Sequence, residues 1–164
     1  MQLNEQQAEQ HRFSLEEEVL LAAARLQAHS GLQSLLSERA QDIDWEVLVA
    51  SALTHGVTPL LCKNLLGISH DLIPSPIMQA CQSHLQQQRQ SNQAATQQLT
   101  EALVQLTLAG ITVMPFKGPS LTLKAYGDIS LRPFRDLDFL IRATDAEPCL
   151  EQLRRLGYRH EHNL

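Results

Sequence analysis

Two aspartates placed two residues apart are the side chains of this sequence best suited to chemistry. In the run Asp136-Leu137-Asp138-Phe139-Leu140-Ile141 the residue types alternate with a period of two, so an extended strand would place Asp136, Asp138 and Leu140 on one face. Carboxylates held this close repel each other unless a cation lies between them, and oxygen ligands favour a hard cation such as Mg²⁺. The pattern predicts a strand over about residues 136–142 whose acidic face binds Mg²⁺ or Mn²⁺.

The same two aspartates have simpler explanations that the sequence leaves open. They could pair with Arg132 or Arg135, or they could be exposed at the end of the strand. The arginines are also open to two interpretations, because a guanidinium can bind the oxygens of a triphosphate or, at Arg132, can hold a loop by hydrogen bonds to carbonyl groups. Both arginines are therefore candidate phosphate-binding residues rather than established ones.

A glycine turn lies upstream of the aspartates. Lys117-Gly118-Pro119-Ser120 follows a predicted strand over Ile111–Phe116 and begins a predicted helix that extends to about Tyr126. Backbone N–H groups and the helix dipole can bind phosphate at such a turn, and Pro119 suits the first helical position. The hydroxyl of Ser120 could donate to a phosphate or serve its own helix terminus. Lys117, Gly118 and Ser120 are the candidate phosphate-binding residues of this turn.

The elements that precede the turn are all predicted to be helices. Caps, glycines, prolines and apolar spacing predict helices over residues 14–29 (with Gly31 as its stop), 32–38, 45–55 (capped by Asp44) and 59–66. The longest predicted helix spans Ile77–Ala109, which contains no proline or glycine. Its centre, Gln86–Gln93, is nearly all polar, so we expect a solvated helix whose two ends pack on different bodies rather than a coiled coil, for which apolar a/d heptads are not sustained.

Strand and helix alternate after Gly110. A helix is predicted from about Asp145 to Leu156, and a last strand is predicted to begin over Tyr158–His162, which leaves a β-α-β-α-β unit unfinished. We therefore expect an α+β fold with a helical section over residues 1–80, followed over residues 81–164 by a partial α/β core with a small mixed sheet.

Charge, cysteines and hydropathy limit the ligands and the location of the protein. The net charge is −5, yet residues 117–164 carry 8 Lys/Arg against 7 Asp/Glu. This distribution suits a pocket for an anionic small molecule and predicts no duplex nucleic acid as a partner. The three cysteines are widely separated and are expected to be buried thiols in a reducing compartment. Without a signal peptide or a long apolar run, a cytoplasmic protein with no membrane association is expected.

Taken together, these residues resemble the nucleotidyltransferase superfamily of the DNA polymerase β type, in which a glycine turn precedes Asp-x-Asp on a strand. They are more similar to an uncharacterised bacterial nucleotidyltransferase family that has a helical front section, a Lys-Gly turn, a tyrosine and Arg-x-x-x-Asp-Leu-Asp. The matching residues here are Lys117-Gly118, Tyr126, Arg132 and Asp136-Leu137-Asp138, with Trp45, His55-Gly56-Val57 and Pro59-Leu60-Leu61 upstream. The resemblance covers roughly residues 40 to 160.

The resemblance implies a Mg²⁺-dependent transfer of a nucleoside monophosphate from an NTP to a hydroxyl acceptor of unknown identity. The glycine turn would hold the triphosphate, Asp136 and Asp138 would be the catalytic and metal-binding residues, and a third carboxylate would come from a later strand. Pro119 departs from the superfamily pattern because it removes one N–H group from the phosphate cradle.

The third carboxylate is the uncertain member of the set. Glu161, between His160 and His162, is the one candidate on the last predicted strand, and the family's acid is expected beyond Leu164, as if the chain were truncated at its C-terminus. The alternative function is therefore a catalytically incomplete module of the nucleotidyltransferase fold that binds nucleotide or a protein partner. A purely structural helical protein with salt-bridged aspartates is the third possibility.

Overall fold

The structure is a computed structural model that describes residues 13–27 and 30–159. The chain divides into two compact units, Met1–Leu85 and Gln86–Leu164. The helices are α1 (Leu15–Ala23), α2 (Ser30–Arg39), α3 (Trp45–Thr54), α4 (Thr58–Leu66), α5 (Ser75–Leu108), α6 (Gly118–Tyr126) and α7 (Ala146–Arg155), and the strands are β1 (Val113–Phe116) and β2 (Asp138–Ile141). The predicted α+β class with a helical N-terminal section is confirmed.

Side-chain caps begin two helices of the first unit where the sequence predicted them. The Glu17 N–H donates to Ser14 Oγ at 3.2 Å while the Ser14 N–H donates to Glu17 Oε2 at 2.8 Å, which forms a capping box at the start of α1. Asp44 Oδ1 accepts from the N–H groups of Glu46 and Val47, both at 3.1 Å, at the start of α3. These starts are local, because each donor lies within three residues of its acceptor.

The predicted helix over residues 14–29 is too long, because α1 ends at Ala23. Asn64, which is buried in α4, donates through Nδ2 to the carbonyl oxygens of Ala23 at 2.7 Å and Arg25 at 2.8 Å. Lys63 donates to the carbonyl of Leu26. Carbonyl groups that a longer α1 would use within the helix are therefore satisfied by side chains of α4. Gly31, predicted as the stop signal, lies inside α2.

Leucines on three helices, α2, α3 and α4, form much of the core of the first unit. Leu32, Leu36, Leu48, Leu61 and Leu65 each expose 1% or less of their surface. Burying a leucine side chain contributes roughly 1.5–3 kcal/mol, so this cluster is a major source of stability for α2, α3 and α4.

The three cysteines are buried free thiols, as predicted. Cys62 and Cys81 lie in the core of the first unit, and Cys149 lies in that of the second. A hydrogen bond with the Cys81 sulfur, together with burial, raises the pKa of the Cys62 thiol above its ordinary value. A thiol held protonated is a weak nucleophile, so Cys62 is suited to packing.

Helix α5 contributes residues to both units, with Met78 and Cys81 in the first core and Leu106 in the second. The prediction that the centre of this helix is solvated is wrong at one residue, because Asn92 is completely buried. The other residues of Gln86–Gln93 are exposed or half-buried. Although α5 has 34 residues, neither it nor any other helix in the described ranges has the apolar length that a bilayer crossing requires.

The sheet of the second unit is an antiparallel pair. β1 pairs with β2 in the register Val113↔Ile141 to Phe116↔Asp138. Val113, Phe139 and Ile141 pack with Leu106, Ile111 and Cys149 in the second core. The opposite face carries Asp138 and three apolar side chains that stay exposed, namely Met114, Phe116 and Leu140. The parallel pairing that a mixed sheet requires is not found among the described residues.

The strands are shorter than predicted. β1 begins at Val113 rather than Ile111, whose side chain is buried in the second core, and β2 begins at Asp138 rather than near residue 136. Phe116, the last residue of β1, pairs with Asp138, so Asp136 lies beyond the end of the paired partner strand. Tyr158 and Arg159 are not in a strand, and the rest of the last predicted strand, with Glu161, lies outside the described residues.

Candidate functional site

A strained turn joins β1 to α6 at the position where the sequence predicted phosphate binding. Lys117 has φ 60° and ψ −141°, and Gly118, the first residue of α6, has φ 46°. A Cβ atom added to Gly118 would lie 3.6 Å from the carbonyl oxygen of Asp136, so the turn passes close to the aspartate segment. Thr122 Oγ1 donates to the Gly118 carbonyl at 2.9 Å from a fully buried position. The start of α6 is thereby fixed.

Lys117 and Asp138 come together at this turn. The distance from Lys117 Nζ to Asp138 Oδ2 is 3.8 Å, and the ammonium lies 5.2 Å from the centroid of the Phe116 ring. The two side chains are 54% and 44% exposed, so solvent screens the pair and it contributes little to stability. The contact nevertheless shows that Asp138 has a cationic neighbour and that the pair can be separated at small cost.

The remaining candidates of the turn and of the aspartate segment face solvent. Asp136, Ser120 and Arg135 are exposed, and their side chains make no hydrogen bond or ion pair with any described residue. Within the described part of the chain, neither Arg132 nor Arg135 pairs with Asp136 or Asp138, so the alternative of arginine-neutralised aspartates is not observed. The structure leaves the Asp136 carboxylate available to a ligand.

The segment between α6 and β2 is held by the middle of α5. Asn92 Nδ2 donates to the carbonyl oxygens of Ile129 at 2.6 Å and Arg132 at 2.9 Å, and Gln88 Nε2 donates to Asn92 Oδ1 at 2.9 Å. Sequence reasoning missed this role, because Asn92 lies in a polar run that predicts exposure. The available signal was weak: asparagine is a poor helix former in a stretch of good ones.

A second contact from α5 reaches the start of the same segment. Arg89 Nη2 lies 2.9 Å from Asp128 Oδ2, and Asp128 Oδ1 accepts from both the N–H and the hydroxyl of Ser130. Burial alone would raise the pKa of the Asp128 carboxyl, but the bonds from Ser130 and the charge of Arg89 outweigh it and lower this pKa. We call Arg89 and Asn92, with their bonds to residues 128–132, the α5 bracket.

Arg132 carries an unsatisfied donor. Its carbonyl accepts from Asn92, whereas Nη1 is buried and has no hydrogen-bond partner, and the side chain has no partner among the described residues. The sequence suggested that the Arg132 guanidinium could hold a loop by hydrogen bonds to carbonyl groups. Among the described residues the guanidinium makes no such bond. A buried donor without a partner costs free energy, which favours a ligand oxygen at this nitrogen.

The described residues bring together two of the three expected carboxylates at most. Within residues 13–27 and 30–159, no three His, Cys, Asp or Glu side chains are grouped so that they could hold a metal ion. The donor set near the turn is therefore Asp138, paired with Lys117, and the exposed Asp136.

Comparison with known protein families matches most of the chain. Residues 41–164 match a family model described as an uncharacterised nucleotidyltransferase, which covers the first unit from α3 onward and the whole second unit. No curated protein and no solved structure shows significant similarity to the chain. The matched range contains every candidate residue of the turn, the aspartate segment and the α5 bracket.

Proposed function

The chain belongs to the uncharacterised nucleotidyltransferase family, and from this premise we propose that it transfers a nucleoside monophosphate from an NTP to a hydroxyl acceptor in a Mg²⁺-dependent reaction. The observation that carries the proposal is the contact of 3.8 Å between Lys117 and Asp138 beside the strained Lys117-Gly118 turn. This contact places Asp138, one of the two aspartates, next to a turn of the type that binds phosphate.

The donor set suits magnesium. Mg²⁺ is usually bound by one or two carboxylates together with substrate phosphates, rather than by a cage made only of protein ligands. Asp136 is exposed and free of partners among the described residues, and the cation next to Asp138 is held by a screened contact. Asp136 and Asp138 would hold the ion, which supplies charge neutralisation at the phosphate under attack.

The other residues of the site act on the triphosphate. The Lys117 ammonium separates from Asp138 and pairs with phosphate oxygens. The N–H groups at the start of α6 and the Ser120 hydroxyl donate to the same triphosphate. The oxygen of the acceptor hydroxyl bonds to the α-phosphorus and releases its proton to water. The bond from that phosphorus to the bridging oxygen breaks, and pyrophosphate leaves with the electron pair of that bond. These groups act mainly by alignment and electrostatic stabilisation.

The test is nucleotidyl transfer with the two aspartates changed one at a time. The chain is incubated with labelled ATP, GTP, CTP or UTP, with Mg²⁺ or Mn²⁺, and with sugars, RNA 3′ ends and proteins as acceptors. We expect transfer of labelled NMP that falls about a thousandfold or more in Asp136→Asn and Asp138→Asn, because each loses several kcal/mol of transition-state stabilisation.

Asp145→Asn is the matched control. Asp145 lies in the same unit just before α7 and contacts Thr144, so its loss should leave transfer near the wild-type rate. Transfer that survives in Asp138→Asn, or its absence with all four nucleotides and every acceptor while both aspartates are intact, would contradict the proposal.

A second candidate function is a module that binds nucleotide without turnover. It is favoured by the lack of a third metal-binding side chain near Asp136 and Asp138 within the described ranges. Calorimetry with each Mg²⁺-bound NTP separates the two candidates, because binding without transfer supports the module and binding with transfer supports the enzyme.

A further inference from the structure

The α5 bracket has a role that the aspartates and the glycine turn do not explain. Asn92 lies in a mostly exposed stretch of helix, yet it is completely buried and donates to two backbone carbonyl groups. We propose that Asn92 and Arg89 are positioning residues that fix residues 128–132, so that the unpartnered Arg132 guanidinium nitrogen binds a phosphate oxygen of the substrate. This inference rests on the proposed function and names a further part of its site.

The bracket fixes the segment at both ends. Arg89 contacts Asp128, which is the first residue, and Asn92 donates to the carbonyl of Arg132, which is the last. Between them, residues 129–131 form one turn of 3₁₀ helix, in which the Ser130 N–H donates to Asp128 Oδ1. The backbone from which the Arg132 side chain extends is therefore anchored by hydrogen bonds, and little of its conformational entropy remains to be lost when a ligand binds.

The anchored segment belongs to the same neighbourhood as the turn. Residues 129–131 pack on α6, whose first residue is Gly118. The chain then runs from Arg132 to Asp136, whose carbonyl lies next to Gly118. One short stretch thus connects the bracket, Arg132 and the aspartates.

The chemistry of Arg132 selects the ligand class. A guanidinium is always protonated, offers five N–H donors in a planar fork and matches phosphate oxygens well. Arg132 Nη1 is buried without a partner, and its side chain has no acidic partner among the described residues. A phosphate oxygen would supply both the missing acceptor and the missing negative charge.

The test measures inorganic pyrophosphate binding to the full chain by calorimetry, which requires no turnover. We expect Arg132→Gln and Asn92→Leu each to weaken the affinity about tenfold, because the first removes a charge-assisted hydrogen bond to phosphate and the second removes the anchor of the segment that carries Arg132. Arg89→Gln should weaken it about threefold, because its ion pair is exposed, and Arg89→Lys should restore most of the loss. Gln90→Ala, an exposed change on the same helix, is the control.

A spectroscopic measurement separates positioning from simple stabilisation. The Arg132 Nε–Hε signal, assigned with Arg132→Lys, should shift when pyrophosphate is added to the wild-type chain and should lose that shift in Asn92→Leu. Circular dichroism checks that Asn92→Leu is folded. If it is not, the test rests on Arg89→Gln and on the recovery of affinity in Arg89→Lys.

The inference is overturned if pyrophosphate does not bind, if Arg132→Gln binds it as tightly as the wild type, or if folded bracket variants keep the wild-type affinity and signal shift. These outcomes differ from failure of the proposed function. Missing nucleotidyl transfer together with Arg132-dependent pyrophosphate binding would overturn the enzyme and support the bracket.

Discussion

Lys117 adopts a backbone conformation that costs free energy. Among the residues that the structure describes, it is the one non-glycine residue with positive φ, and its ψ of −141° takes it close to a region that only glycine occupies readily. Such strain costs of the order of 1–3 kcal/mol and persists where the surrounding structure enforces it. Under the proposed function, the phosphate-binding role of the lysine side chain would be the reason for keeping this strain.

Lys117→Gly should therefore stabilise the fold and weaken the site. Glycine removes the strain, while its greater freedom in the unfolded chain costs about 0.4–1 kcal/mol, so we expect a net gain of about 1 kcal/mol. Thermal unfolding followed by circular dichroism checks the gain, and calorimetry with pyrophosphate checks the loss of affinity.

Lys117→Met is the matched control for this substitution. It removes the ammonium but keeps a long side chain and the strained backbone, so it should lose affinity without becoming more stable. If Lys117→Gly unfolds at a lower temperature than Lys117→Met, the strain argument is wrong.

At the scale of the element, helix ends divide into those set locally and those set by another helix. The start of α1 uses Ser14 and Glu17, three residues apart, and a capping pattern in the sequence finds it. Its end uses Asn64, which is 41 residues from Ala23. Periodicity over residues 14–29 cannot detect a donor so far along the chain.

Asn64→Ala tests this long-range cap. The change removes the side-chain donor from the Ala23 carbonyl, whose bond is buried, and from the Arg25 carbonyl, whose bond is partly buried, so we expect a loss of about 2–3 kcal/mol. Urea unfolding followed by the fluorescence of Trp45, the single tryptophan, reports on this unit.

Thr54→Val is the control for the cap, because Thr54 only donates to a carbonyl of its own helix from an exposed position. It should change stability by less than about 0.5 kcal/mol. An Asn64→Ala chain as stable as Thr54→Val would show that the end of α1 does not depend on α4.

At the scale of the whole molecule, stability comes from two separate cores. Leu36 belongs to the first and Leu106 to the second, and both are fully buried. The side chains of each core come from one unit, so a cavity in one core should lower the local stability mainly of that unit.

Leu106→Ala should cost about 2–5 kcal/mol and should lower amide protection in β1, β2 and α7 more than in α4. Leu36→Ala should have the reverse effect, and hydrogen exchange measures both. Leu108→Ala is the matched control, since Leu108 lies on the same helix but is 76% exposed. Equal loss of protection in α4 and α7 after Leu106→Ala would contradict the division.

The helical section, the α+β class and the family could be predicted from the sequence, because caps, glycines, periodicity and the Lys-Gly and Asp-Leu-Asp patterns are local signals. Four features became visible only in the folded chain: the end of α1 at Ala23, the start of β2 at Asp138, the contact of Lys117 with Asp138 and the burial of Asn92. Those features depend on groups tens of residues apart in the chain, and hydrogen bonds such as those of Asn92 to residues 129 and 132 are formed only once the fold has brought their partners together.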